Sequence, residues 1–347
     1  MKRTRFDLSP EKKIEKFRSE ISKLFPGLDT SYLKFGTLSM GMDKFFEAHF
    51  YIPPENKNLV NCQYFYKNKT VVHFSNIPAL ISILQEKAIR LYNLHNLNDP
   101  REFKFSARLF GLEDEIVEDA RTNIFLISFC EREILSEIKN EFNLWRLYGH
   151  NGKGIVIVFS IHNDQIDWRD FHLSEVFYGT RKREVFNELI DLVDNFNKTE
   201  PKITIDFGKL IPFHKSKLFE FEKEVGLIFD RREMRAGVKN RTLYNQEKQI
   251  FPLIQTDLLK MIEQKDKVRY LKIPIYTSDN PETESWIPVL KIEQIIIGYN
   301  YMEEASKIIE SIKELSQNNL GYLPTIKQTR LKNYYWDFNK SQMLKTS

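Results

Sequence analysis

Apolar residues recur at helical spacing in several stretches of this sequence. In the first stretch, four of them follow one another at intervals of three or four residues: Ile14, Phe17, Ile21 and Leu24. Side chains with this spacing share one face of a helix. Ser9 and Pro10 suit the start of the helix, and Pro26 follows its end. The same spacing predicts further helices over residues 77–87, 185–196, 253–265 and 303–315.

Shorter runs rich in valine, isoleucine and phenylalanine lie between these helices and are typical of strands. They predict strands over residues 70–74, 89–92, 124–130, 154–159, 225–229, 271–276, 292–298 and 334–338. Helices and strands alternate without the regular strand–helix–strand repeat of a doubly wound fold. The pattern therefore favours the α+β class.

The chain divides into two parts near residue 69. Residues 1–69 predict an N-terminal helix followed by an aromatic, irregular lead-in module with Pro53 and Pro54 at its centre. Residues 70–347 carry the alternating helices and strands, and they predict a main α+β domain that ends in a basic aromatic strand and tail.

The composition indicates a folded protein with a sizeable core. Of the 347 residues, 41% are hydrophobic and 13% are aromatic, which is too many for a disordered chain. No apolar run reaches the ~18 residues that a membrane-spanning helix needs, and no apolar signal segment follows the basic start. Two cysteines, Cys62 and Cys130, are too few for a cysteine-rich zinc site. We expect a cytoplasmic protein with reduced thiols and no membrane contact.

The formal net charge of +4 is unevenly distributed along the chain. Residues 1–24 hold eight basic and four acidic residues, residues 326–347 hold five and one, and the remainder is mildly acidic. Basic ends can contact nucleic acid or a protein acceptor, and a basic amphipathic helix can also lie on anionic lipid. The acids in the first helix and its moderate apolar face favour packing against the protein body instead.

A strand that carries His73 leads directly into a helix whose first turn can be capped by Ser75 or Asn76. An imidazole beside the unpaired N–H groups of a helix start suits a polar ligand with amide or ribose groups. The plainer alternative is that His73 bonds a backbone carbonyl. Farther along, Asp99 and Arg101 flank a proline turn, where they could line a pocket or simply shape the turn.

Trp145 and Tyr148 lie three residues apart, so they share a face if this segment is helical. Gly152 and Gly154, with Lys153 between them, allow a tight turn into the next strand but fit no phosphate-binding loop pattern. Such an aromatic pair could stack on a planar ring, or it could belong to the core.

Glu220, Glu222 and Glu224 alternate with other residues at the head of a predicted strand, so in an extended chain they share one side. A carboxylate in this position suits binding of sugar hydroxyls or stabilisation of a developing cation. The alternative is a solvated charged edge for at least two of the three. No local metal-binding motif is present, and a metal-dependent nuclease or hydrolase would need Asp99 together with this glutamate cluster.

Taken in order, these segments resemble a bacterial family known as domain of unknown function 2971. The resemblance covers residues 70–300. Gly226 departs from the family pattern, which has a basic residue two positions after the last glutamate, so we expect no salt bridge or phosphate contact there. The shared features are residues 73–84, the turn 97–100, Ser128-Phe129, residues 145–148 with 152–154, and Glu222-Lys223-Glu224.

The segment His73-Phe74-Ser75-Asn76, followed by a helix ending in Ile83-Leu84 and a short strand, also resembles ADP-ribosyltransferases of the His-Tyr-Glu type. The resemblance implies a mixed, split β-sheet with flanking helices, whose cleft binds NAD. It implies that His73 bonds the nicotinamide-side ribose and that Tyr148 or Trp145 stacks on the nicotinamide. Glu224 would bond the ribose 2′-hydroxyl and stabilise the oxocarbenium ion. Other contacts to NAD or a related nucleotide are expected from Ser75, Asn76, Asp99, Arg101, Ser128, Lys153 and Glu222.

Three hypotheses for the function follow. The first is an NAD-consuming ADP-ribosyltransferase, a toxin or phage-defence effector that modifies nucleic acid or protein. The second is a non-catalytic module on the same fold that binds a nucleotide or a partner. The third is the metal-dependent nuclease or hydrolase.

Overall fold

The structure is a computed structural model that describes residues 10–24, 34–40, 43–49, 66–96, 100–112, 114–163, 165, 168, 171–179, 183–199, 202–205, 208–231, 262–265, 268–279, 287–301 and 304–334. Within these residues the α-helices are α1 (Pro10–Leu24), α2 (Ile77–Glu86), α3 (Pro100–Leu109), α4 (Asp114–Asn123), α5 (Ile138–Leu147), α6 (Arg183–Phe196) and α7 (Ala305–Leu320). None of them is long and apolar enough to cross a membrane.

The described strands are β1 (Lys34–Met40), β2 (Asp43–His49), β3 (Thr70–Ser75), β4 (Ala88–Asn93), β5 (Ile124–Glu131), β6 (Ile155–Ile161), β7 (Phe171–Glu175), β8 (Phe177–Tyr178), β9 (Lys202–Ile205), β10 (His214–Lys215), β11 (Glu224–Asp230), β12 (Ile262–Lys265), β13 (Val268–Pro274), β14 (Leu290–Ile297) and β15 (Thr325–Gln328). Most of them join one large sheet with the order β12-β13-β4-β5-β3-β6-β14-β15, to which β11 and β7 are added beside β5. Its pairs are antiparallel except for β14 with β15, which are parallel. The predicted α+β class with a mixed sheet and flanking helices is confirmed.

The large sheet branches at β5. From Ile124 to Cys130 one edge of β5 pairs with β11. The other edge is shared: β4 pairs near Leu126, and β3 pairs with Cys130 and Glu131. Between these two contacts no described strand pairs with residues 127–129 on that edge. The sheet is therefore divided beside Ser128, and Ser128 itself is exposed.

The first helix packs on the protein body, as its apolar spacing favours. Phe17 and Ile21 are fully buried in an apolar cluster with residues of α3, α4, α6 and β11. The Phe17 ring meets the Phe196 ring edge to face, with centroids 5.1 Å apart. Lys13, on the same helix, is also buried and donates to the Thr199 carbonyl and hydroxyl oxygens.

The predicted lead-in module, residues 1–69, makes contacts with later parts of the chain. The β1–β2 hairpin is extended by β9 in a parallel pair, and α1 contacts α6. The division at residue 69 stays a prediction, since these contacts describe neighbours and do not define separate units.

Two predicted elements are wrong where the structure describes them. Residues 262–265 are the strand β12 and not the end of a helix, because they pair antiparallel with β13; residues 253–261 lie outside the described residues. Tyr334 belongs to a helical turn and not to a strand, and residues 335–338 lie outside the described residues. At residues 262–265 the pairing with β13 decides the conformation, against the local apolar spacing.

Candidate functional site

Ser128 lies at the branch of the sheet and joins two of the predicted site residues. The Nδ1 atom of His73 lies 3.0 Å from the Ser128 carbonyl oxygen. A carbonyl oxygen can only accept, so Nδ1 carries the proton. Burial lowers the pKa of His73, which makes the ring neutral at pH 7. The hydroxyl of the same serine donates to Glu224 Oε1 at 2.6 Å.

His73 and Glu224 reach Ser128 from opposite faces of β5. The ring of His73 lies beside Phe129, with centroids 5.9 Å apart. Glu224 pairs with Cys130, whose side chain shares a face with that of Ser128 because side chains alternate along a strand. His73 therefore holds the main chain of Ser128, as the plainer interpretation of this histidine expected, while Glu224 holds its side chain.

Glu224 begins β11 and is held at three points. Its Oε2 atom forms an ion pair with the Lys215 ammonium group. Its main-chain N–H donates to the Tyr178 hydroxyl oxygen at 2.8 Å, and Ser128 donates to its other carboxylate oxygen. Only 4% of Glu224 is exposed, so three neighbours fix both the strand start and the side chain.

Glu222 lies on the other side of Lys215. It ends the 3₁₀ helix Lys217–Glu222, and the left-handed backbone of Lys223, with φ of 43°, then turns the chain into β11. Glu222 Oε2 lies 3.5 Å from Lys215 Nζ, and Glu222 Oε1 accepts from the Tyr148 hydroxyl. Both carboxylates thereby converge on one ammonium group.

We call the five residues Ser128, Glu224, Lys215, Glu222 and Tyr148 the carboxylate cluster. Its two glutamates and one lysine are each at least nine-tenths buried. With all three ionised, one negative charge is in excess. Buried charges are tolerated only when paired, and the remaining negative charge favours a neighbouring cation. The exposed members are Ser128 and Tyr148, so the charge lies just beneath the surface.

The extended chain considered for residues 220–224 applies only to Glu224, which begins β11. Glu220 and Glu222 belong to a 3₁₀ helix, which Ser216 caps by accepting from the Leu218 N–H. The alternative of a solvated edge is wrong for Glu222 and Glu224, which are buried because Lys215 compensates their charge. Glu220 alone of the three is exposed.

Trp145 and Tyr148 lie in different environments. Trp145 is fully buried, meets Phe74 edge to face at 5.5 Å, and donates to Glu141 Oε1 at 3.1 Å. Tyr148 follows the last residue of α5 and is 46% exposed. Trp145 is therefore a core residue with no exposed face for a ligand, whereas the ring of Tyr148 has one.

The remaining predicted contacts lie outside the cluster. Asn76 caps α2, since its Oδ1 accepts from the Ala79 N–H at 2.8 Å, and Ser75 is half-buried at the end of β3. Lys153 is exposed, and its carbonyl accepts from the Tyr301 hydroxyl. Asp99 lies outside the described residues, and Arg101 falls in the first turn of α3.

The glycines of the predicted turn allow close backbone contacts. Gly152 has φ of +77°, and a Cβ atom there would lie 2.5 Å from the Tyr299 ring. A Cβ on Gly154 would lie 2.3 Å from the Ser75 carbonyl oxygen. Gly226 has a similar explanation: its Cβ would lie 3.2 Å from the Phe213 ring. The first carbon of any side chain at position 226 would therefore meet the apolar residues Phe213 and Leu126.

Lys215 and Tyr178 are central to the site and were not predicted. Lys215 lies two residues after the buried apolar residues Leu210, Ile211 and Phe213, and a lysine near the end of an apolar run was the one available signal. For Tyr178 the sequence carries no comparable signal. Among the described residues no group of three or more histidine, cysteine, aspartate or glutamate side chains is arranged to hold a metal ion.

The thiol of Cys130 reports on the carboxylate cluster because Cys130 pairs with Glu224 across the β5–β11 ladder. Burial, followed by the charges of Glu224 and Glu222, raises the pKa of this thiol well above its usual range. The thiolate that alkylating reagents require is therefore scarce at neutral pH.

We expect iodoacetamide to modify Cys130 at neutral pH at least ~10-fold more slowly in the folded protein than in urea-unfolded protein. Glu224→Gln should raise the rate in the folded state, because it removes a negative charge that disfavours the thiolate. Mass spectrometry of proteolytic peptides separates Cys130 from Cys62. Equal rates in folded and unfolded protein would show that Cys130 is not in this environment.

Comparison with known proteins gives one match. Residues 144–227 match the model of the family described as protein of unknown function (DUF2971). No curated protein and no solved structure matches the chain. The matched segment runs from α5 into β11 and carries Tyr148, Lys215, Glu222 and Glu224. The match supports the expected similarity to this family over about a quarter of the chain, in the part that contains four of the five residues of the carboxylate cluster.

Proposed function

We propose that the branch of the sheet binds NAD and that this chain is an ADP-ribosyltransferase that uses Glu224. The observation that supports this most is the contact between the exposed Ser128 hydroxyl and the buried Glu224 carboxylate. Five residues selected from the sequence meet around it: His73, Ser128, Tyr148, Glu222 and Glu224. The proposed reaction needs a fixed carboxylate beside the ribose and a surface for the nicotinamide ring, and these residues can supply both.

In the proposed reaction the bond between C1′ of the ribose and the nicotinamide nitrogen breaks. The electron pair leaves with nicotinamide, and positive charge develops on the ribose. A fixed carboxylate beside the ribose stabilises this charge more in the transition state than in the ground state. The acceptor then forms a bond to C1′ and loses a proton to solvent or to a nearby base.

The residues at the branch suit the parts of NAD. A ribose hydroxyl can replace the Ser128 hydroxyl as the donor to Glu224, because both groups offer an O–H to a carboxylate. The exposed ring of Tyr148 can stack on the nicotinamide ring. His73 fixes the Ser128 main chain from the other face, so we assign it the positioning of β5 rather than a contact within the carboxylate cluster.

One observation favours a second candidate, a non-catalytic module that binds a nucleotide or a partner. Glu224 is paired with Lys215. A carboxylate satisfied in this way can be a structural group, and the same branch could then bind a nucleotide without cleaving it. The two candidates make opposite predictions for the release of nicotinamide.

The test is to incubate the protein with NAD, with and without cell lysate as a source of acceptors, and to measure released nicotinamide. We expect release by the wild type that persists in the presence of a chelator. Loss of release on chelation would favour the metal-dependent nuclease or hydrolase. Binding of NAD without release, even with lysate, would favour the non-catalytic module. An active protein of this kind would suit a toxin or phage-defence effector whose acceptor is nucleic acid or protein.

Variants of Tyr148 distinguish a stacking role of its ring from the hydrogen-bonding role of its hydroxyl group. Tyr148→Phe keeps the ring and loses the bond to Glu222, so we expect KM for NAD to stay within ~3-fold of the wild type. Tyr148→Ala loses the ring, and because stacking contributes ~1–3 kcal/mol we expect KM to rise ~5-fold or more. Leu147→Ala, a neighbouring exposed position, is the matched control. Equal KM for the phenylalanine and alanine variants would contradict a stacking role.

A further inference from the structure

The two oxygens of Glu224 point to different neighbours, and the neighbour of Oε2 is a lysine for which the proposed reaction has no role. Lys215 is 8% exposed and lies in the short strand β10, parallel to β8. Its Nζ atom contacts Glu224 Oε2, lies 3.5 Å from Glu222 Oε2 and lies 5.7 Å from the centroid of the Phe219 ring. A buried ammonium group is thus placed between two buried carboxylates.

Without that ammonium group the two carboxylates would lose the positive charge that lies between them. Like charges at short distance inside a protein repel strongly, and burial offers no water to screen them. Cys130, Tyr148 and Tyr178 neighbour the carboxylates but carry no positive charge in any protonation state, and the Lys223 ammonium group is paired with Glu137. Either the carboxylates would turn apart or one would take up a proton. Both changes would alter the contact of Glu224 with Ser128.

We propose that Lys215 is a positioning residue that holds the Glu224 carboxylate against Ser128, in the orientation that meets the ribose of the substrate. Its role in the reaction rests on the proposed function, whereas its hold on the orientation of Glu224 does not. Lys215 acts through Glu224 and Glu222 and does not itself contact the reacting atoms. The Glu222–Glu224 pair is then a site shaped for one ammonium group.

The ammonium group between the two glutamates can be removed by mutation and replaced by a small ammonium compound added to the solution. Lys215→Ala removes three carbons and the ammonium group, and n-propylammonium has the same composition. We expect the variant to melt at a lower temperature than the wild type. Added n-propylammonium should recover part of the loss with a saturable dose dependence, while 1-propanol, of similar size and uncharged, should recover none. Recovery by both compounds, or by neither, would overturn the proposal.

A matched control exists elsewhere in the sheet. Lys272 also bridges two carboxylates, at 3.4 Å from Glu86 and 2.9 Å from Glu263, but it is partly exposed. We expect Lys272→Ala to show no saturable response to n-propylammonium, because water can fill and screen that site. A similar response in both variants would mean that the effect is general to lysine removal. If the alanine variant folds poorly, Lys215→Met, which keeps most of the buried stem but carries no charge, takes its place in the crystallographic and nicotinamide readouts, without the additive.

Two further measurements distinguish a role of Lys215 in positioning Glu224 from a role in the stability of the protein alone. Crystal structures of Lys215→Ala should show Glu224 turned away from Ser128, and returned to it in crystals with n-propylammonium; a Glu224 that keeps its contact without the additive would overturn the proposal. In the nicotinamide assay kcat should fall ~10-fold or more with KM little changed, and n-propylammonium should restore it. If the wild type releases no nicotinamide, the proposed function fails, while the melting and crystallographic results still decide the role of Lys215.

Discussion

Glu224→Gln is expected to slow nicotinamide release by ~10²–10³-fold, the usual effect of removing one group that stabilises charge in a transition state. Glutamine keeps the size and the oxygen that accepts from Ser128, but it lacks the negative charge that stabilises the developing cation. The ammonium group of Lys215 keeps Glu222 as a partner, so the fold should persist. The loss should appear in kcat and should leave KM nearly unchanged.

Glu220→Gln is the matched control for this prediction. Glu220 lies on the same 3₁₀ helix as Glu222 but is exposed to solvent. We expect this variant to release nicotinamide at the wild-type rate. Circular dichroism of both variants should match the wild type, and thermal melting should show that the Glu224 variant is folded at the assay temperature. Equal activity of the Glu224 variant and the wild type would remove Glu224 from the reaction.

Gly154→Ala is expected to destabilise the protein by ~3 kcal/mol, at the upper end of the cost of overpacking a close contact. The added Cβ would lie 2.3 Å from the Ser75 carbonyl oxygen and 2.7 Å from Gly149 main-chain atoms. These neighbours are backbone, so they cannot turn aside as a flexible side chain would. The end of β3 and the turn before β6 would have to separate.

Urea unfolding followed by circular dichroism measures this effect. Gly226→Ala is the control, because its Cβ would lie 3.2 Å from a side chain, the Phe213 ring, which can shift slightly. We expect a loss of less than ~1.5 kcal/mol for this change. Equal losses for the two variants would contradict the close backbone contact at Gly154.

Much of the fold could be predicted because its central elements carry strong local patterns. The strands around His73, Ser128 and residues 155–161 are dominated by Val, Ile and Phe, and α2 has both a cap and an apolar face. The segment 262–265 carries no comparably strong local pattern. Its pairing with β13 depends on partners that the local spacing of apolar residues does not reveal.

The site was only partly predictable for the same physical reason. Tyr148, Glu222 and Glu224 were found because they lie in segments with a recognisable order along the chain. Lys215 reaches the two glutamates from β10, and Tyr178 reaches Glu224 from β8. Their roles depend on how distant segments pack together, which no local pattern records. Glu222 and Glu224 can be buried because Lys215 compensates their charge. Their burial could therefore not be predicted without knowing the position of Lys215.

The most direct test of NAD binding at the branch is a crystal structure of the Glu224→Gln variant with NAD, in which slow turnover should preserve the bound molecule. We expect the nicotinamide-side ribose within hydrogen-bond distance of the side chain at position 224 and of the Ser128 hydroxyl, with the nicotinamide ring against Tyr148. NAD bound elsewhere on the chain, with the carboxylate cluster unchanged, would contradict this account.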